Sequence, residues 1–446
     1  MSEASAAGKR VKAQVLSGFR DQLPAQMILR RMLIERFRAV FEAHGFEPID
    51  TPALEYLEVL TGKAGENEKL MYHFTDHGGR DVGLRYDLTV PLARYVANHQ
   101  NELPLPFKRY HIAPVWRAEK AQRGRFREFY QCDADIVGSP STTADAEAIS
   151  MVGEILAAAG LPEFSVSISH RQLLAGIARV SGISSDLASV VYRTVDKLHK
   201  IGSDAVRQEL VDAGASEDAA SRLLEQITHR GSNEELIERI RHLAANEPEL
   251  SEALDQLGEL FSLLESLAPE SDCFRLDLTL ARGLDYYTGI VYEATVDKPR
   301  IGSVSGGGRY DGLVGSFAGR HIPAVGISIG LERILEVANE FNLVEAPSSV
   351  ADVIVIYSED ALSYAAGIAR QLRQEGLNTD LSLMARRSFG DQLKYTERRG
   401  IPIAVIAGGA ERDSAVANIK VLATGEQVTV PLGATAREVR ARIVAR

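Results

Sequence analysis

The chain has 446 residues, of which 45% are hydrophobic and 25% charged, and its formal net charge is -11. This length predicts two or three domains of ordinary globular composition, and global acidity argues against a non-specific nucleic-acid coat. We find no apolar run long enough to cross a membrane. The two cysteines, Cys132 and Cys273, lie far apart and form no metal or redox motif, so we expect a protein of the reducing cytoplasm.

The first part of the chain shows both helical and strand patterns. Residues 1–17 have no apolar signal core and are predicted to be a loose tail. Apolar periodicity and glycine turns then predict a helix over 26–44, a strand over 46–49, a hairpin over 71–86, a helix over 145–159 and a strand over 164–168.

From about residue 171 to 267 the pattern is helical only, which indicates an insertion into a mixed sheet domain. Patterns for strands over 274–280, 290–296 and 324–329 and for a helix over 331–341 follow it. After a linker at 347–349, strand, helix and hairpin patterns predict a compact α/β module, and residues 349–446 hold thirteen Lys/Arg against eleven Asp/Glu.

Basic and aromatic residues are concentrated between residues 108 and 135. Seven Lys and Arg residues occur from Lys108 to Arg127, together with Trp116, Phe126 and Phe129. Arginine binds phosphate oxygens with its planar fork and stacks on rings with its face. The segment therefore favours an adenine nucleotide, although a solvated basic face or a general nucleic-acid groove fits it as well.

Two other motifs match known functional patterns, but each has a simpler structural explanation. Gly326-Ile327-Ser328-Ile329-Gly330 matches the hydrolase pattern G-x-S-x-G, but no histidine follows Ser328 to act as the base, so we interpret it as a strand entering a helix. His73 and His77 have the spacing of a zinc pair on a helix, but the glycine turn after them predicts a hairpin. We therefore assign no metal site, and without a P-loop motif any ATP is bound in another way.

Five segments, in order, resemble class II aminoacyl-tRNA synthetases of the histidyl type. They are 18–24 (GFRDQLP), 117–129 with Arg-x-Glu followed by GRFREF, 282–289 (RGLDYYTG), 305–312 (SGGGRYDG) and 326–333 (GISIGLER). The resemblance covers nearly the whole chain. It implies an α+β catalytic domain built on an antiparallel sheet with flanking helices over 18–170 and 271–345, a helical insertion over 171–270, and a C-terminal α/β anticodon-binding domain over 349–446.

The resemblance implies a histidine–tRNA ligase that forms histidyl-adenylate from histidine and ATP with Mg²⁺ and then charges the 3′ end of histidine tRNA. It also implies a homodimer. A non-catalytic histidine-sensing paralogue of the synthetase stays open as an alternative, as does an RNA-binding adaptor.

The resemblance implies a role for each residue at the ATP end. Arg117 and Arg282 would act at the α-phosphate, where charge develops during attack by the histidine carboxylate. The other ATP-binding residues would be Glu119, Arg125, Phe129 and Arg333. Glu119 could instead form an ordinary ion pair with a neighbouring cation, and Arg282 could instead pair with Asp285; both alternatives stay open.

Histidine selection requires partners for both ring nitrogens, because neutral imidazole has one donor and one acceptor. The resemblance assigns the histidine site to Asp87, Thr89, Gln131, Asp135, Arg282, Tyr286, Tyr287 and Tyr310. Tyr287 and Asp135 would contact the ring, although many bacterial relatives carry Glu at the latter position. We expect only one of Tyr286 and Tyr287 to face the pocket, since neighbours on a strand point to opposite faces.

The resemblance implies that the loop within segment 117–129 meets the acceptor end of the tRNA through Gln122 and Arg127. This chain has Lys120-Ala121 where the family more usually has Arg-Pro. In the C-terminal module the residues available for phosphates of the anticodon stem are Arg386, Arg387, Lys394, Arg398 and Arg399. A solvated helical face explains any one of them nearly as well.

Overall fold

The computed structural model describes residues 11–61, 65–120, 124–161, 163–244, 246–269, 271–281, 286–296, 302–384 and 386–444. The chain divides into two compact units. The first comprises the residues up to Asp21 together with Leu33–Val344, and the second comprises Gln22–Met32 together with the residues from Glu345 onward.

The elements before the helical insertion are α1 (Pro24–Ala43), β1 (Glu47–Pro48), β2 (Leu54–Tyr56), α2 (Leu57–Leu60), β3 (His73–Thr75), β4 (Asp81–Leu84), α3 (Thr89–His99), β5 (Phe107–Trp116), β6 (Glu128–Val137), α4 (Thr142–Ala158) and β7 (Phe164–His170). The predicted hairpin is confirmed, because β3 and β4 pair antiparallel around the turn at Gly78. The histidines His73 and His77 therefore lie on a hairpin, as predicted.

The insertion consists of α5 (Arg171–Val180), α6 (Ala188–Val195), α7 (Leu198–Asp212), α8 (Glu217–Ile227), α9 (Asn233–Arg241) and α10 (Pro248–Leu267). The first unit then ends with β8 (Phe274–Leu276), β9 (Ile290–Val296), β10 (Ser303–Arg309), α11 (Gly315–Ala318), β11 (Ala324–Gly330) and α12 (Leu331–Phe341). The interpretation of residues 326–330 as a strand entering a helix is confirmed.

An eight-stranded sheet organises the first unit, in the order β1-β5-β6-β11-β10-β9-β7-β8. Every central pair is antiparallel, whereas the edge strands β1 and β8 run parallel to their neighbours. The predicted antiparallel sheet with flanking helices is therefore confirmed. Helix α4 covers part of the sheet, and Ser141 caps its N-terminus, because the Ser141 hydroxyl accepts the N–H of Thr143 at 3.1 Å.

Strand β10 was not among the predicted strands, because its three glycines have low strand propensity. Their small size is what lets the strands pack here. A β-carbon at Gly307 would lie 2.1 Å from the carbonyl oxygen of Gly326 and 2.6 Å from the hydroxyl of Tyr292. The glycines therefore allow close approach between β10 and its neighbours.

The second unit forms β12 (Val353–Tyr357), α13 (Leu362–Gln374), β13 (Thr379–Leu381), α14 (Phe389–Arg398), β14 (Ile403–Ala407), α15 (Gly409–Asp413), β15 (Val416–Val421), β16 (Gln427–Pro431) and α16 (Thr435–Val444). Its sheet has the order β13-β12-β14-β15-β16, with parallel pairs first and an antiparallel hairpin last. The α/β module is thus confirmed. Strand β12 is buried along its whole length, which fits a strand between two parallel neighbours.

Candidate active site

One cleft in the first unit brings together most of the predicted site residues. The space among its lining residues is about 960 Å³, which includes open solvent at its mouth. The predicted residues that line it are Asp87, Thr89, Arg117, Glu119, Arg125, Phe129, Gln131, Tyr286, Tyr287 and Arg333. Asp135 and Tyr310 do not line it and are only 2% and 1% exposed.

Strand β6 forms the floor of the cleft. Its side chains alternate between the two faces of the sheet, so Phe129, Gln131, Asp133 and Asp135 share one face. Phe129 and Gln131 reach the cleft, and the two aspartates continue the same row beneath its surface. This row of side chains therefore leads from an aromatic ring in the cleft to two carboxyls buried beneath it.

Arg117 leaves the end of β5 and is held in place by the cleft wall. Its Nε donates to the Tyr86 carbonyl at 3.0 Å, and its Nη2 lies 3.5 Å from Oε1 of Gln131. The guanidinium also lies over the rings of Tyr86 and Phe129, with centroids at 4.3 and 5.0 Å. This cation is thus fixed between the aromatic end and Gln131.

Two further arginines stand at the aromatic end of the cleft. Arg125 is about half exposed and lies 3.5 Å from Glu119, which is the ion pair that the sequence left open for this glutamate. Arg333 donates to the Ser303 carbonyl. Burial lowers the pKa of Arg333, and the charge of Arg125 lowers it further, so an anion bound between these arginines would relieve their repulsion.

Asp87 occupies the turn before α3. Its Oδ1 accepts the backbone N–H groups of Thr89 at 3.1 Å and Val90 at 3.0 Å, which caps the helix. Burial raises the pKa of this carboxyl, while the two hydrogen bonds and the charge of Arg117 oppose that shift. The turn brings a carboxyl and the Thr89 hydroxyl to the same side of the cleft.

Asp135 is enclosed at the far end of the row. Tyr310 donates its hydroxyl to Oδ1, and Nη2 of Arg109 lies 2.5 Å from Oδ2. Burial raises the pKa of Asp135, and the Arg109 charge and the Tyr310 hydrogen bond oppose this shift. Burial also raises the pKa of Tyr287 well above its usual range, and nearby Asp135 and Asp133 add to the effect. The Tyr287 hydroxyl therefore keeps its proton at neutral pH.

Several expectations need correction. Tyr286 and Tyr287 precede β9 rather than lying on a strand, so both line the cleft instead of facing opposite ways. Arg109 is fully buried, and Lys108 pairs with Glu147 at 2.7 Å, so neither of these two cations faces the cleft.

Arg127 also lies away from the cleft lining. It donates to the carbonyls of Glu119 and Ser17, both at 3.1 Å, and so ties the N-terminal segment to β6. Arg282 and Gln122 fall outside the described residues, and their roles stay predictions.

Comparison with known proteins identifies the family. Residues 18–334 match the family described as Histidyl-tRNA synthetase, and residues 352–442 match the Anticodon binding domain. The chain belongs to the histidyl-tRNA synthetase family. A histidine–tRNA ligase from Aeropyrum pernix is 47% identical over 427 residues, which cover 95% of this chain and 96% of that protein.

Two further proteins of the histidyl-tRNA synthetase family are similar to this chain over most of its length. A histidine–tRNA ligase from Rhodopirellula baltica is 40% identical over 430 residues, or 94% of this chain and 96% of that protein. The crystal structure of a histidyl-tRNA synthetase from Nostoc sp. PCC 7120 superimposes with a TM-score of 0.88 at 33% identity, covering 97% of this chain and all of that one.

The structure also brings residues to this synthetase site to which the sequence assigned no role there. Tyr86 stacks on Arg117, and Glu332 accepts the backbone N–H of Tyr130 at 2.8 Å. Arg109, Asp133 and Gly326 surround Asp135. Charged residues at alternate positions of two otherwise apolar segments could have indicated Arg109 and Asp133. Their partners on the neighbouring strand, however, depend on the register of strand pairing, which the sequence does not give.

Within the described residues, no group of three or more histidine, cysteine or carboxylate side chains has the arrangement of a metal site. The same part of the chain contains no helix that is both long and apolar enough to span a bilayer.

Proposed function

We propose that the cleft activates histidine with ATP and that the chain then charges histidine tRNA. The histidine carboxylate attacks the α-phosphate of ATP, an acyl–phosphate bond forms, and pyrophosphate leaves. The 3′-terminal ribose hydroxyl of the tRNA then displaces AMP. The observation that carries this proposal is the polarity of the cleft: arginines and an aromatic ring stand at one end, and buried carboxyls and tyrosines at the other.

The arginine end suits ATP. Phe129 presents a ring on which adenine can stack, and Arg333 would cover its other face. Arg117 would hold the α-phosphate and stabilise the charge that develops there, and Arg125 would bind the outer phosphates. Glu119 would orient the nucleotide or the Mg²⁺ of its substrate complex, after giving up its ion pair with Arg125.

The other end suits histidine. Asp87, Thr89 and Gln131 would bind the α-amino and carboxylate groups, because they line the cleft beside Arg117. Tyr287 would donate to one ring nitrogen, and Asp135 would accept from the other. Tyr286 and Tyr310 would close the pocket, with ring centroids 5.9 Å apart. Arg282 would act at the reacting carboxylate, as the family pattern implies.

This pocket would select its substrate by hydrogen bonds between the imidazole and buried polar groups. An amino acid without the imidazole would leave the Tyr287 hydroxyl and the Asp135 carboxylate desolvated and without a ligand partner. A site that hydrogen-bonds its substrate in this way rejects analogues by about 10⁴-fold or more, well beyond what an apolar slot achieves. We propose that this term, rather than shape alone, gives specificity for histidine.

Two surfaces suit the tRNA. Gln122 and Arg127, in the loop of segment 117–129, would meet the acceptor end of the tRNA. Arg127 would first have to give up its hydrogen bonds to the carbonyls of Ser17 and Glu119. In the second unit the exposed cations of the α14 region suit phosphates of the anticodon stem, and they are Arg386, Arg387, Lys394, Arg398 and Arg399.

We further propose a cytoplasmic homodimer. Leu54, Tyr56 and Phe74 share one face of the small sheet β2-β4-β3 and are 44%, 51% and 50% exposed. A second copy of the chain would cover such an apolar face, and sedimentation at micromolar concentration tests this. A Tyr56→Glu variant should shift the protein to monomer, with Glu58→Ala as a control on the next helix.

ATP–pyrophosphate exchange with each of the twenty amino acids tests the proposed reaction. We expect exchange to depend on histidine, and exchange that depends on another amino acid would overturn the proposal. Tight histidine binding without exchange would favour the regulatory paralogue. The presence of the anticodon-binding module and the similarity of the two ligases over at least 94% of this chain favour the enzyme.

A further inference from the structure

Arg109 lies directly behind the proposed histidine pocket. It faces Asp135 in the register of β5 and β6, and its Nη2 lies 2.5 Å from Oδ2 of that carboxylate. The same nitrogen donates to the Leu88 carbonyl at 3.4 Å. Leu88 stands between Asp87 and Thr89. One guanidinium thus connects the carboxylate proposed for the imidazole with the turn proposed for the α-amino group.

The burial of this arginine is energetically unfavourable. Arg109 is 0% exposed, and its Nε and Nη1 have no hydrogen-bond partner among the described residues. A buried ion pair often contributes less to stability than apolar residues of the same volume would, because both charges lose their hydration. A partly unsatisfied guanidinium makes that balance worse. Stability alone therefore gives a poor account of an arginine at this position.

The surroundings of Asp135 indicate what Arg109 contributes. Tyr310 donates a hydrogen bond to Oδ1 and the Arg109 guanidinium forms an ion pair with Oδ2, so the two oxygens have partners on different sides. Gly326 stands opposite on β11, and its missing side chain leaves the space that the carboxylate fills. Each oxygen still has a lone pair for a further donor. The carboxylate is therefore oriented before any ligand arrives.

We propose that Arg109 is a positioning residue for histidine recognition, which holds the Asp135 carboxylate ionised and oriented and couples it to the Asp87–Thr89 turn. Arg109 does not line the cleft, so it acts through these neighbours and not on phosphate. The inference rests on the proposed contact between Asp135 and the imidazole.

The charges around Asp135 make the proposal measurable. Among the described residues, the titratable and charged groups that face it are Arg109, Asp133, Asp87, Tyr287, Tyr292 and Tyr310. Arg109 is the one cation in that set, and the other members are carboxyls and tyrosines. Without Arg109, burial and the nearby carboxyls would shift Asp135 toward its protonated form at neutral pH.

The test measures KM for histidine and for ATP by pyrophosphate exchange between pH 6 and pH 9, using Arg109→Met and Arg109→Lys. In Arg109→Met the KM for histidine should rise about 30-fold at pH 7, the cost of a lost charge-assisted contact, while the KM for ATP stays within about twofold. That KM should fall again toward pH 9 as Asp135 ionises. Arg109→Lys should recover part of the loss and keep the wild-type pH profile.

Arg94→Met is the control, because it breaks another largely buried arginine–carboxylate pair, with Glu55, and lies outside the cleft. It should lower stability without changing the KM for histidine. An unchanged KM in Arg109→Met, an equal rise in both KM values, or a rise independent of pH would overturn the positioning role.

Asp135→Asn distinguishes a failure of the positioning role of Arg109 from a failure of the proposed contact between Asp135 and the imidazole. If Asp135→Asn raises the KM for histidine and Arg109→Met does not, the positioning role alone is wrong. If Asp135→Asn leaves that KM unchanged, the imidazole contact is wrong and the positioning role with it. Should Arg109→Met fail to fold, an unchanged KM for histidine in Arg109→Lys would count against the proposal, and a rise of about fivefold would support it.

Discussion

Gly326 and Asp135 face each other across β11 and β6, and the carboxylate of Asp135 occupies the space where a side chain at residue 326 would be. A β-carbon there would lie 1.9 Å from Oδ1. Gly326, the first residue of segment 326–333, is thus a steric requirement of the proposed histidine pocket.

Gly326→Ala should therefore damage both stability and histidine binding. The carboxylate cannot move aside cheaply, because Arg109 and Tyr310 hold it, so overpacking should cost about 1–3 kcal/mol. Calorimetry and the KM for histidine measure the two effects. Gly367→Ala is the control, since an added β-carbon on helix α13 meets no atom within 4 Å. A wild-type KM in Gly326→Ala would contradict the prediction.

Arg117→Lys should lower the rate of adenylate formation by about 100-fold, because an ammonium group cannot reproduce the guanidinium contacts at a site of developing charge. Single-turnover formation of histidyl-adenylate is the measurement. Lys108→Met removes a cation of the same segment that pairs with Glu147, and its rate should match that of the wild type. Equal losses in the two variants would argue against a specific role for Arg117.

Tyr287→Phe removes the hydroxyl proposed to meet the imidazole. The KM for histidine should rise by about tenfold or more, the cost of an unpaired buried group, with no change in the KM for ATP. Tyr192→Phe is a matched control, because that hydroxyl donates to the Arg171 carbonyl in the insertion. The assignment of Tyr287 does not survive if the two variants bind histidine equally well.

The carboxyl of Asp133 should make stability depend on pH. Burial raises its pKa to about 8, and nearby Asp135 adds to the shift while Arg109 and Ser328 oppose it. Because the folded chain holds this proton more tightly than the unfolded chain, the free energy of unfolding should fall as pH rises from the ordinary value of 3.8 to about 8.

Asp133→Asn removes this titration. The free energy of unfolding of the variant minus that of the wild type should increase by on the order of 1 kcal/mol or more when the pH is raised from 5 to 8.5. Thermal midpoints at pH 5 and pH 8.5 measure this change. Burial lowers the pKa of His111 to about 4, and its contribution to the pH dependence is removed when the two proteins are compared. Asp204→Asn, at a side chain 93% exposed, should show no such gain. A constant difference across this range would contradict the raised pKa.

The sequence predicted most elements of the fold, because their signals are local. Apolar periodicity placed strand 290–296 and helix 331–341 with the bounds that the structure has. Strands β5, β6 and β10 were not predicted. For β10 the reason is that Gly306, Gly307 and Gly308 are typical of a loop, and they suit a strand here because Tyr292 and the neighbouring backbone leave no room for side chains. That information lies on other strands.

The same limit applies to the site. The motifs indicated the cleft residues, from Arg117 to Arg333, because each motif occupies one continuous segment. By residue type, Arg109 is one of the seven cations of the segment that favours a nucleotide, and nothing local distinguishes it from the others. Its burial and its pairing with Asp135 follow from the register of two strands joined by a loop, which residue types alone do not determine.

The row of side chains on β6 also restricts how this enzyme can change. Phe129 and Asp135 are six residues apart, so a strand rise of about 3.3 Å per residue sets the proposed adenine and imidazole sites about 20 Å apart along one backbone. Deleting or inserting a single residue between them would turn every later side chain to the opposite face. The spacing of the two substrates is therefore a fixed length of the scaffold, and variation within this strand is confined to substitutions that keep its length.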